Sequence, residues 1–297
     1  MTLTATRPPT RAKGVTFFPY LLMLPAITLL AAVVIYPLLG ALGDAFFERS
    51  LLREGRTFVG LDNILHAISA DLWPLAVTTL TFAVPATVAP FLVGLVAALA
   101  LNQKMRGRAA VRSVFLLPWV LPGVVVSFLW LWIFDANYGV LNGTLRTAGL
   151  IDTNIGWLDS GPGAMLAVIV ARTWGTFPWM MVMLLAALQS FPGELGEAGR
   201  VDGANAWQRF RHITWPGLRP VASIVVLLEF IWNFQHFDTI YVLTGGGPAN
   251  ATTTFSLAVY ETAFDGFDLG MAAAIGALWL LMLLPAVAIY LKSEHKS

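Results

Sequence analysis

Four side chains able to bind a polar molecule recur on one helical face within the apolar stretch 221–243. The spacing i, i+3, i+4 and i+7, which marks one side of an α-helix, is shared by Glu229, Trp232, Asn233 and His236. Carboxylate and amide groups can form paired hydrogen bonds with sugar hydroxyls, and an aromatic plane can pack against the C–H faces of a sugar. Lipid offers these groups no partner. The spacing therefore predicts either a sugar-binding face or a structural polar contact between helices.

Three charged residues interrupt otherwise apolar stretches. Arg172 lies in the stretch 164–188, and Glu229 and Asp238 lie in the stretch 221–243. A charge at the centre of a membrane helix costs about 2.5–3.5 kcal/mol, so each must face a partner or a water-filled cavity. Asp238 is close to the outer end of its stretch, where water can reach it. For Arg172 and Glu229, an internal ion pair and hydrogen bonding to a solute in transit both explain the charge.

The composition places these residues in a membrane protein. Hydrophobic residues make up 57% of the 297 residues and charged residues 12%, with a mean hydropathy of +0.72. Soluble domains carry about 25% charged residues. The net charge of +1 offers no field for nucleic acid, the absence of cysteine removes thiolate chemistry, and the four histidines are too scattered for a local zinc motif. An intramembrane serine protease is disfavoured because G-x-S-x-G is absent and His236 has no serine partner by spacing.

Gaps between charges predict six membrane spans. A span needs roughly 20 mostly apolar residues. Four charge-free gaps are long enough, at 14–43, 72–103, 113–134 and 269–291, and the stretches 164–188 and 221–243 complete the set. The first gap is too long for a signal peptide. Pro118, Pro122 and Gly123 make the third span the best candidate for an irregular helix that lines a cavity.

The distribution of Lys and Arg predicts the orientation. Thirteen of the 18 basic residues fall on the N-terminus, the second-to-third connection, the fourth-to-fifth connection and the C-terminus, against four on the opposite side. By the positive-inside rule both termini are cytoplasmic. The chain then divides into a tail at 1–16, a six-helix membrane domain at 17–291 and a tail at 292–297.

The cytoplasmic segment 190–220 is too long and too polar for a simple connection. Two short helices are predicted, the first capped by Ser190 with Pro192 in its first turn, and the second ended by Pro216. Asn205 with Gln208 forms a capping-box pattern. An aromatic and aliphatic stripe on the second helix consists of Trp207, Phe210 and Ile213. The segment is interpreted as a docking element, with an amphipathic loop lying on the bilayer as the alternative.

This segment resembles a known motif. Glu197-Ala198-Gly199, Asp202-Gly203-Ala204, and then Phe210, Ile213 and Pro216 are similar to the EAA loop of bacterial ABC-importer permeases, with Gly199 where the pattern has alanine. From about residue 17 the chain resembles the carbohydrate-uptake class of these permeases, related to the larger membrane subunit of the maltose importer. The stretches that carry the wider resemblance are 58–63, 116–122 and 243–248.

The resemblance implies an all-α fold of the type I ABC importer permease class and a set of partners. These are a second homologous permease, two cytoplasmic ATPase subunits that bind ATP and magnesium, and an extracytoplasmic sugar-binding protein. None of the chain's four lysines lies in a phosphate-binding G-x-x-x-x-G-K-[ST] motif, so no cofactor is expected in this chain. The resemblance assigns ATPase coupling to Glu197 as acidic contact, to Asp202 and Gly203 in the turn, and to Ala198, Ala204 and Phe210 as packing surface.

The resemblance also extends the predicted substrate site. Positions that match sugar contacts, or their neighbours, are Trp119, Gly123, Arg172 and Thr176, in addition to Glu229, Trp232, Asn233 and His236. Exposed aromatic residues in outer loops, Tyr138 and Trp157, are candidates for contact with the binding protein, and Gly245-Gly246-Gly247 is interpreted as an outer turn rather than a phosphate loop.

The expected function is therefore that of the permease subunit of an ATP-driven sugar or oligosaccharide importer in the bacterial inner membrane. The alternative is a stand-alone secondary transporter or channel for a polar solute, for which no internal inverted repeat is detectable in the sequence.

Overall fold

The computed structural model describes residues 18–103, 106–191 and 193–294, which consist mainly of helices. The predicted tail 1–16, with Arg7, Arg11 and Lys13, lies outside the described residues, as do Lys104, Pro192 and Lys296. The helices of the first half are α1 (Phe18–Leu30), α2 (Tyr36–Asp44), α3 (Asp62–Ala70), α4 (Leu72–Leu101), α5 (Arg108–Val120), α6 (Gly123–Ile133) and α7 (Val140–Thr147).

The second half of the chain is also mainly helical. Its helices are α8 (Gly161–Ser190), α9 (Gly193–Val201), α10 (Ala206–Arg209), α11 (Trp215–Phe234), α12 (Asp238–Leu243), α13 (Phe255–Tyr260) and α14 (Leu269–Glu294). Single π-helical turns, Ala31–Ile35, Phe210–Thr214 and Glu261–Asp265, join α1 to α2, join α10 to α11, and follow α13. An antiparallel ribbon pairs β1 (Phe47–Glu48) with β2 (Thr57–Phe58), with Phe47 opposite Phe58.

Long apolar helices lie where the spans are predicted. Four stretches are long and apolar enough to cross a membrane: Leu21–Asp44, Leu72–Leu101, Gly161–Ser190 and Ala206–Phe234. The bent pair α5 and α6 forms a further candidate span, and α14 contains the shorter apolar stretch Leu269–Pro285. That all six segments cross the bilayer, and that both termini are cytoplasmic, stay predictions.

The third span is broken, as the sequence predicts. The axes of α5 and α6 differ by 96°. Leu121 adopts an extended conformation with ψ of 139°, because the ring of Pro122 excludes the helical conformation from the residue before it. Pro118, by contrast, remains inside α5. The change of direction is therefore caused by Pro122 and creates two helix ends within the bundle.

The helix of the predicted fifth span is offset from the apolar stretch 221–243. The helical stretch runs from Ala206 to Phe234, so it begins before residue 221 and ends before residue 243. Pro216 does not end the preceding helix: it lies in the first turn of α11, after the π turn Phe210–Thr214 has already interrupted the i→i−4 hydrogen-bond ladder. At the other end, the indole Nε1 of Trp279 donates to the carbonyl of Phe234 at 3.2 Å. That bond satisfies a terminal carbonyl that the helix leaves free.

The short helices before α11 match the prediction in part. Asn205 and Gln208 form the predicted capping box, with Asn205 Oδ1 accepting from the Gln208 amide at 2.9 Å and Gln208 Oε1 accepting from the Asn205 amide at 2.8 Å. Ser190 does not cap α9, because its hydroxyl donates to the Ala187 carbonyl within α8. The predicted role of Pro192 lies outside the described residues.

Buried apolar residues form two main clusters along the bundle. One contains Phe82, Phe234 and Phe255, and the other contains Leu101, Leu184 and Leu218. In α4, α8 and α11 the first cluster occupies the half predicted to face outward and the second occupies the half predicted to face the cytoplasm. The polar residues of the candidate site lie between them.

The packing of α4 on α8 is the most extensive contact between helices, and Gly94 permits it. A β-carbon on Gly94 would lie 2.7 Å from Cβ of Met180, 2.9 Å from the Met181 nitrogen and 3.0 Å from the Phe177 carbonyl oxygen. Two of these atoms belong to the backbone of α8. A side chain at this position can therefore be accommodated only by separating the helices.

We predict that Gly94→Val destabilises the protein by about 1–3 kcal/mol, the usual result of overpacking a close helix contact. The measurement is the thermal midpoint of the purified full chain. Gly40→Val in α2 is the matched control, since a β-carbon there meets no atom within 4 Å. Equal midpoints for the two variants would contradict the close approach.

Candidate functional site

A polar cavity of about 210 Å³ opens at the break of the third span. Its walls come from the ends of α5 and α6, the middle of α8, the second half of α11 and the segment that follows α11. Seven of the eight predicted substrate residues line it: Trp119, Gly123, Arg172, Thr176, Glu229, Trp232 and His236. Residues from three separate segments of the sequence are thus brought to one place.

An ion pair between α8 and α11 forms the polar wall of the cavity. Arg172 Nη2 donates to Glu229 Oε1 at 3.3 Å, and Arg172 Nε donates to Asn233 Oδ1 at 2.6 Å. The Glu229 side chain is 1% exposed and that of Arg172 is 17% exposed. The carboxylate is therefore enclosed by protein, while the guanidinium retains an edge that faces the cavity. The internal ion pair considered from the sequence is present.

Asn233 lies behind this wall and does not line the cavity. Its Nδ2 donates to the Ala86 carbonyl at 2.9 Å, to Thr87 Oγ1 at 3.1 Å and to Glu229 Oε1 at 3.2 Å. Asn233 is 1% exposed. The amide of Asn233 therefore links α4 to α11. It also orients the side chains of Arg172 and Glu229, so Asn233 is a positioning residue.

His236 reaches the cavity by a route that its helical spacing does not predict. α11 ends at Phe234, so His236 is not the i+7 residue of a continuous helix. Its Nε2 lies 2.8 Å from Thr239 Oγ1, and Ser127 Oγ donates to the same oxygen at 3.3 Å. The imidazole also stacks on Phe82, with ring centroids 6.0 Å apart. These contacts hold the segment after α11 against α6.

Two indoles provide exposed aromatic surface at the cavity. Trp119 is 51% exposed and Trp232 is 41% exposed. Trp179 packs edge-on against Trp232, with ring centroids 5.0 Å apart, and lines the cavity too. Trp179 is a lining residue that the sequence analysis missed, although it follows Arg172 and Thr176 at the spacing i, i+4 and i+7. Thr239 was also missed, and no local pattern marks it.

The predicted coupling residues lie on and around α9. Glu197, Ala198, Asp202 and Gly203 are exposed, and Gly203 adopts the left-handed conformation with φ of 77°, which suits glycine in this turn. Ala204 and Phe210 are half-buried, and Phe210 stacks on Trp207 with centroids 5.7 Å apart. A β-carbon on Gly199 would lie 2.9 Å from Ile213 Cδ1. Glycine at this position therefore lets Ile213 pack closely against α9.

The two aromatic residues predicted to lie in outer loops differ in their exposure. Tyr138 is 92% exposed. Trp157 is half-buried and its Nε1 donates to Asn142 Oδ1 at 3.0 Å. Trp157 therefore stabilises its own loop, whereas Tyr138 presents a free ring. Gly245 and Gly246 have φ values of 52° and 84°, consistent with a tight turn.

Other hollows of the structure are larger than the polar cavity. One of them, a groove of about 400 Å³, lies between α2 and α14, with Asp44 and Gln235 as its polar lining residues. Its apolar walls suit hydrocarbon rather than a polar solute. Across residues 18–103, 106–191 and 193–294, no group of three or more His, Asp or Glu side chains is arranged to hold a metal ion.

Comparison with known proteins gives a consistent set of relatives. The family model described as "Binding-protein-dependent transport system inner membrane component" matches residues 90–293. The trehalose/maltose transport system permease protein MalF of Thermococcus litoralis is 35% identical over 92% of this chain and 92% of that protein. The sulfoquinovosyl glycerol transport system permease protein SmoG of Agrobacterium fabrum is 31% identical over 92% and 88%.

A solved structure shares the fold. It is the crystal structure of a bacterial alginate ABC transporter in complex with alginate pentasaccharide-bound periplasmic protein. One of its chains superposes with a TM-score of 0.78, at 22% identity, over 92% of each chain. The likeness extends over nearly all of the structure described above.

We predict that Asn233→Leu lowers the stability of the chain by about 3 kcal/mol, because it leaves Arg172 Nε and the buried Ala86 carbonyl without their partner. The readout is the thermal midpoint of the purified full chain. Gln235→Leu is the control, since Gln235 lies two residues after Asn233 and has an exposed side chain. A midpoint equal to that of the control would show that the network is not important for stability.

Proposed function

The chain belongs to the family of binding-protein-dependent transport system inner membrane components, and from this membership we propose that it is the permease subunit of an ATP-driven importer for a sugar or oligosaccharide. It is a transport subunit rather than an enzyme. The proposal assigns the polar cavity as its part of the substrate pathway.

The observation that carries the proposal is the chemistry of the cavity wall. A guanidinium edge, a hydroxyl and an imidazole lie beside the exposed indoles of Trp119 and Trp232. Hydroxyl-rich ligands need hydrogen-bond donors and acceptors, and indole rings cover their C–H faces. The trehalose/maltose permease, at 35% identity, supports the same substrate class.

The size of the cavity supports a shared site. At about 210 Å³ it is smaller than the 300–1,000 Å³ typical of small-molecule sites. We propose that a second, homologous permease supplies the opposite wall, so that each subunit forms half of the pathway. An extracytoplasmic binding protein would deliver the sugar, and the complex between the alginate transporter and its periplasmic protein supports that arrangement.

Coupling to ATP is assigned to α9 and the turn that follows it. Glu197 and Ala198 are exposed beside Leu195, which is 53% exposed, and Val201, which is 87% exposed. An acidic group flanked by exposed apolar side chains suits a groove on a cytoplasmic ATPase subunit. Because α10, the π turn and α11 form one helical stretch from Ala206 to Phe234, a displacement of α9 can reach Glu229 and Trp232 through that stretch.

The test of the proposal is reconstitution of the complete importer in proteoliposomes. ATPase activity is measured with the binding protein and a panel of mono-, di- and trisaccharides. Stimulation by one or more neutral sugars is expected. Sugar uptake by the chain alone, driven by an ion gradient, would instead support a secondary transporter.

We predict that Trp232→Ala lowers sugar-stimulated ATPase activity about tenfold at subsaturating sugar, because it removes an aromatic surface worth roughly 1–1.5 kcal/mol. Trp132→Ala is the matched control, since Trp132 is 77% exposed and does not line the cavity. Equal activity in the two variants would show that Trp232 does not contribute to sugar binding.

We predict that Glu197→Lys weakens association with the ATPase subunits at least about tenfold, because the charge reversal places a cation where the partner receives an anion. Co-purification and analytical gel filtration measure the association. Glu54→Lys reverses an exposed charge on a predicted outer loop and leaves assembly intact. Normal assembly of Glu197→Lys would show that α9 is not the docking surface.

A further inference from the structure

The charged groups around the polar cavity do not favour the binding of an anion. Among the described lining residues, Arg172 carries the permanent positive charge, and it is paired with the buried carboxylate of Glu229. A second carboxylate lies at the rim: a β-carbon on Gly123 would be 3.4 Å from Asp238 Oδ2, and Gly123 lines the cavity. The one guanidinium is therefore paired with one carboxylate and has a second carboxylate nearby, next to Gly123.

The position of Glu229 makes its effect strong. Its side chain is 1% exposed, so water screens its charge poorly. A substrate carboxylate placed against the Arg172 edge would also be close to this buried carboxylate, and like charges repel strongly at low dielectric. A neutral sugar hydroxyl meets no such penalty, since it can accept from the guanidinium and donate to a carboxylate or carbonyl oxygen.

The hydrogen bonds of Arg172 also favour a neutral substrate. Its Nε and Nη2 atoms already donate to Asn233 and Glu229. Recognition of a carboxylate by arginine is strongest when two parallel N–H groups are available to form a fork. Here Asn233 and Glu229 already accept from the Nε and Nη2 side of the guanidinium, so a substrate has only the remaining N–H groups. These donate equally well to a neutral hydroxyl oxygen, whereas a substrate carboxylate bound to them would lie beside the carboxylate of Glu229.

We propose that Glu229, supported by Asp238 at the rim, makes the cavity selective for neutral sugars over sugars that carry a carboxylate. Glu229 acts by cancelling the charge of Arg172. The inference rests on the proposed function, because it assumes that a sugar occupies this cavity. It adds the substrate class and the residue that determines it.

The test measures binding to the complete importer in lipid nanodiscs by saturation-transfer NMR. The probes are maltose, trehalose and maltotriose, each paired with the counterpart in which one C6 hydroxymethyl group is oxidised to a carboxylate. The wild-type importer is expected to bind a neutral probe at least about tenfold more tightly than its uronate, a difference of about 1.4 kcal/mol.

Glu229→Gln is the central variant. The amide keeps an oxygen that can accept from Arg172 and Asn233 but removes the negative charge. It is expected to bind the uronate about tenfold more tightly than wild type, with the affinity for the neutral probe changed less than about threefold. Adding Asp238→Asn to this variant should strengthen uronate binding further.

Arg172→Gln/Glu229→Gln is the matched control for charge. It removes both members of the pair, so both probes are expected to bind more weakly because the guanidinium no longer donates to the sugar. Its ratio of uronate affinity to neutral affinity should fall back below that of Glu229→Gln. A purely structural ion pair would instead make Glu229→Gln weaken both probes equally. Asp238→Asn changes an exposed residue and provides an independent variant if Glu229→Gln fails to fold, with an expected gain in uronate affinity alone.

The outcomes separate the two proposals. If wild type binds none of the neutral probes and none stimulates ATPase activity, the proposed function is wrong and the selectivity inference fails with it. If neutral probes bind but none of Glu229→Gln, Asp238→Asn and the combined variant gains uronate affinity over wild type, the selectivity inference is wrong and the proposed function stands.

Discussion

A buried ion pair in an apolar bundle is the interaction on which the arrangement of this protein depends. Arg172 and Glu229 cannot lie in a low-dielectric region separately, because each isolated charge would carry a large desolvation penalty. Their pairing fixes the rotation of α8 against α11, and Asn233 extends the contact to α4 through Ala86 and Thr87. The two main apolar clusters pack on either side of this polar layer. The location of the cavity follows from that layer.

Features governed by local sequence could be predicted, and features governed by distant contacts could not. The bend before Pro122 follows from the conformational restriction that proline imposes on its neighbour, and the capping box at Asn205 is a three-residue pattern. The end of α11 has neither glycine nor proline at 234–237. It coincides with a hydrogen bond from Trp279, 45 residues away in the chain. Hydropathy continues through this point and therefore placed the end of the helix too late.

The candidate site shows the same division. Helical spacing selected Glu229, Trp232 and Asn233 correctly as neighbours, but it could not show that Asn233 turns away from the cavity towards α4. His236 lines the cavity although the helix that was expected to carry it has ended. Its place depends on Thr239 and Ser127, and no spacing rule links residues from α6 and α12 before the fold is known.

The ion pair and the breaks beside the cavity are carried by different kinds of backbone. Arg172 and Glu229 lie inside the continuous helices α8 and α11, where the helical frame holds the ion pair at a fixed geometry. Trp119, Gly123 and His236 lie at helix ends, next to the breaks after α5 and after α11. Irregular backbone is tolerated at membrane depth only where protein or a wet cavity satisfies its polar groups. The two breaks therefore let Trp119, Gly123 and His236 converge on the cavity, while continuous helices hold the ion pair beside them.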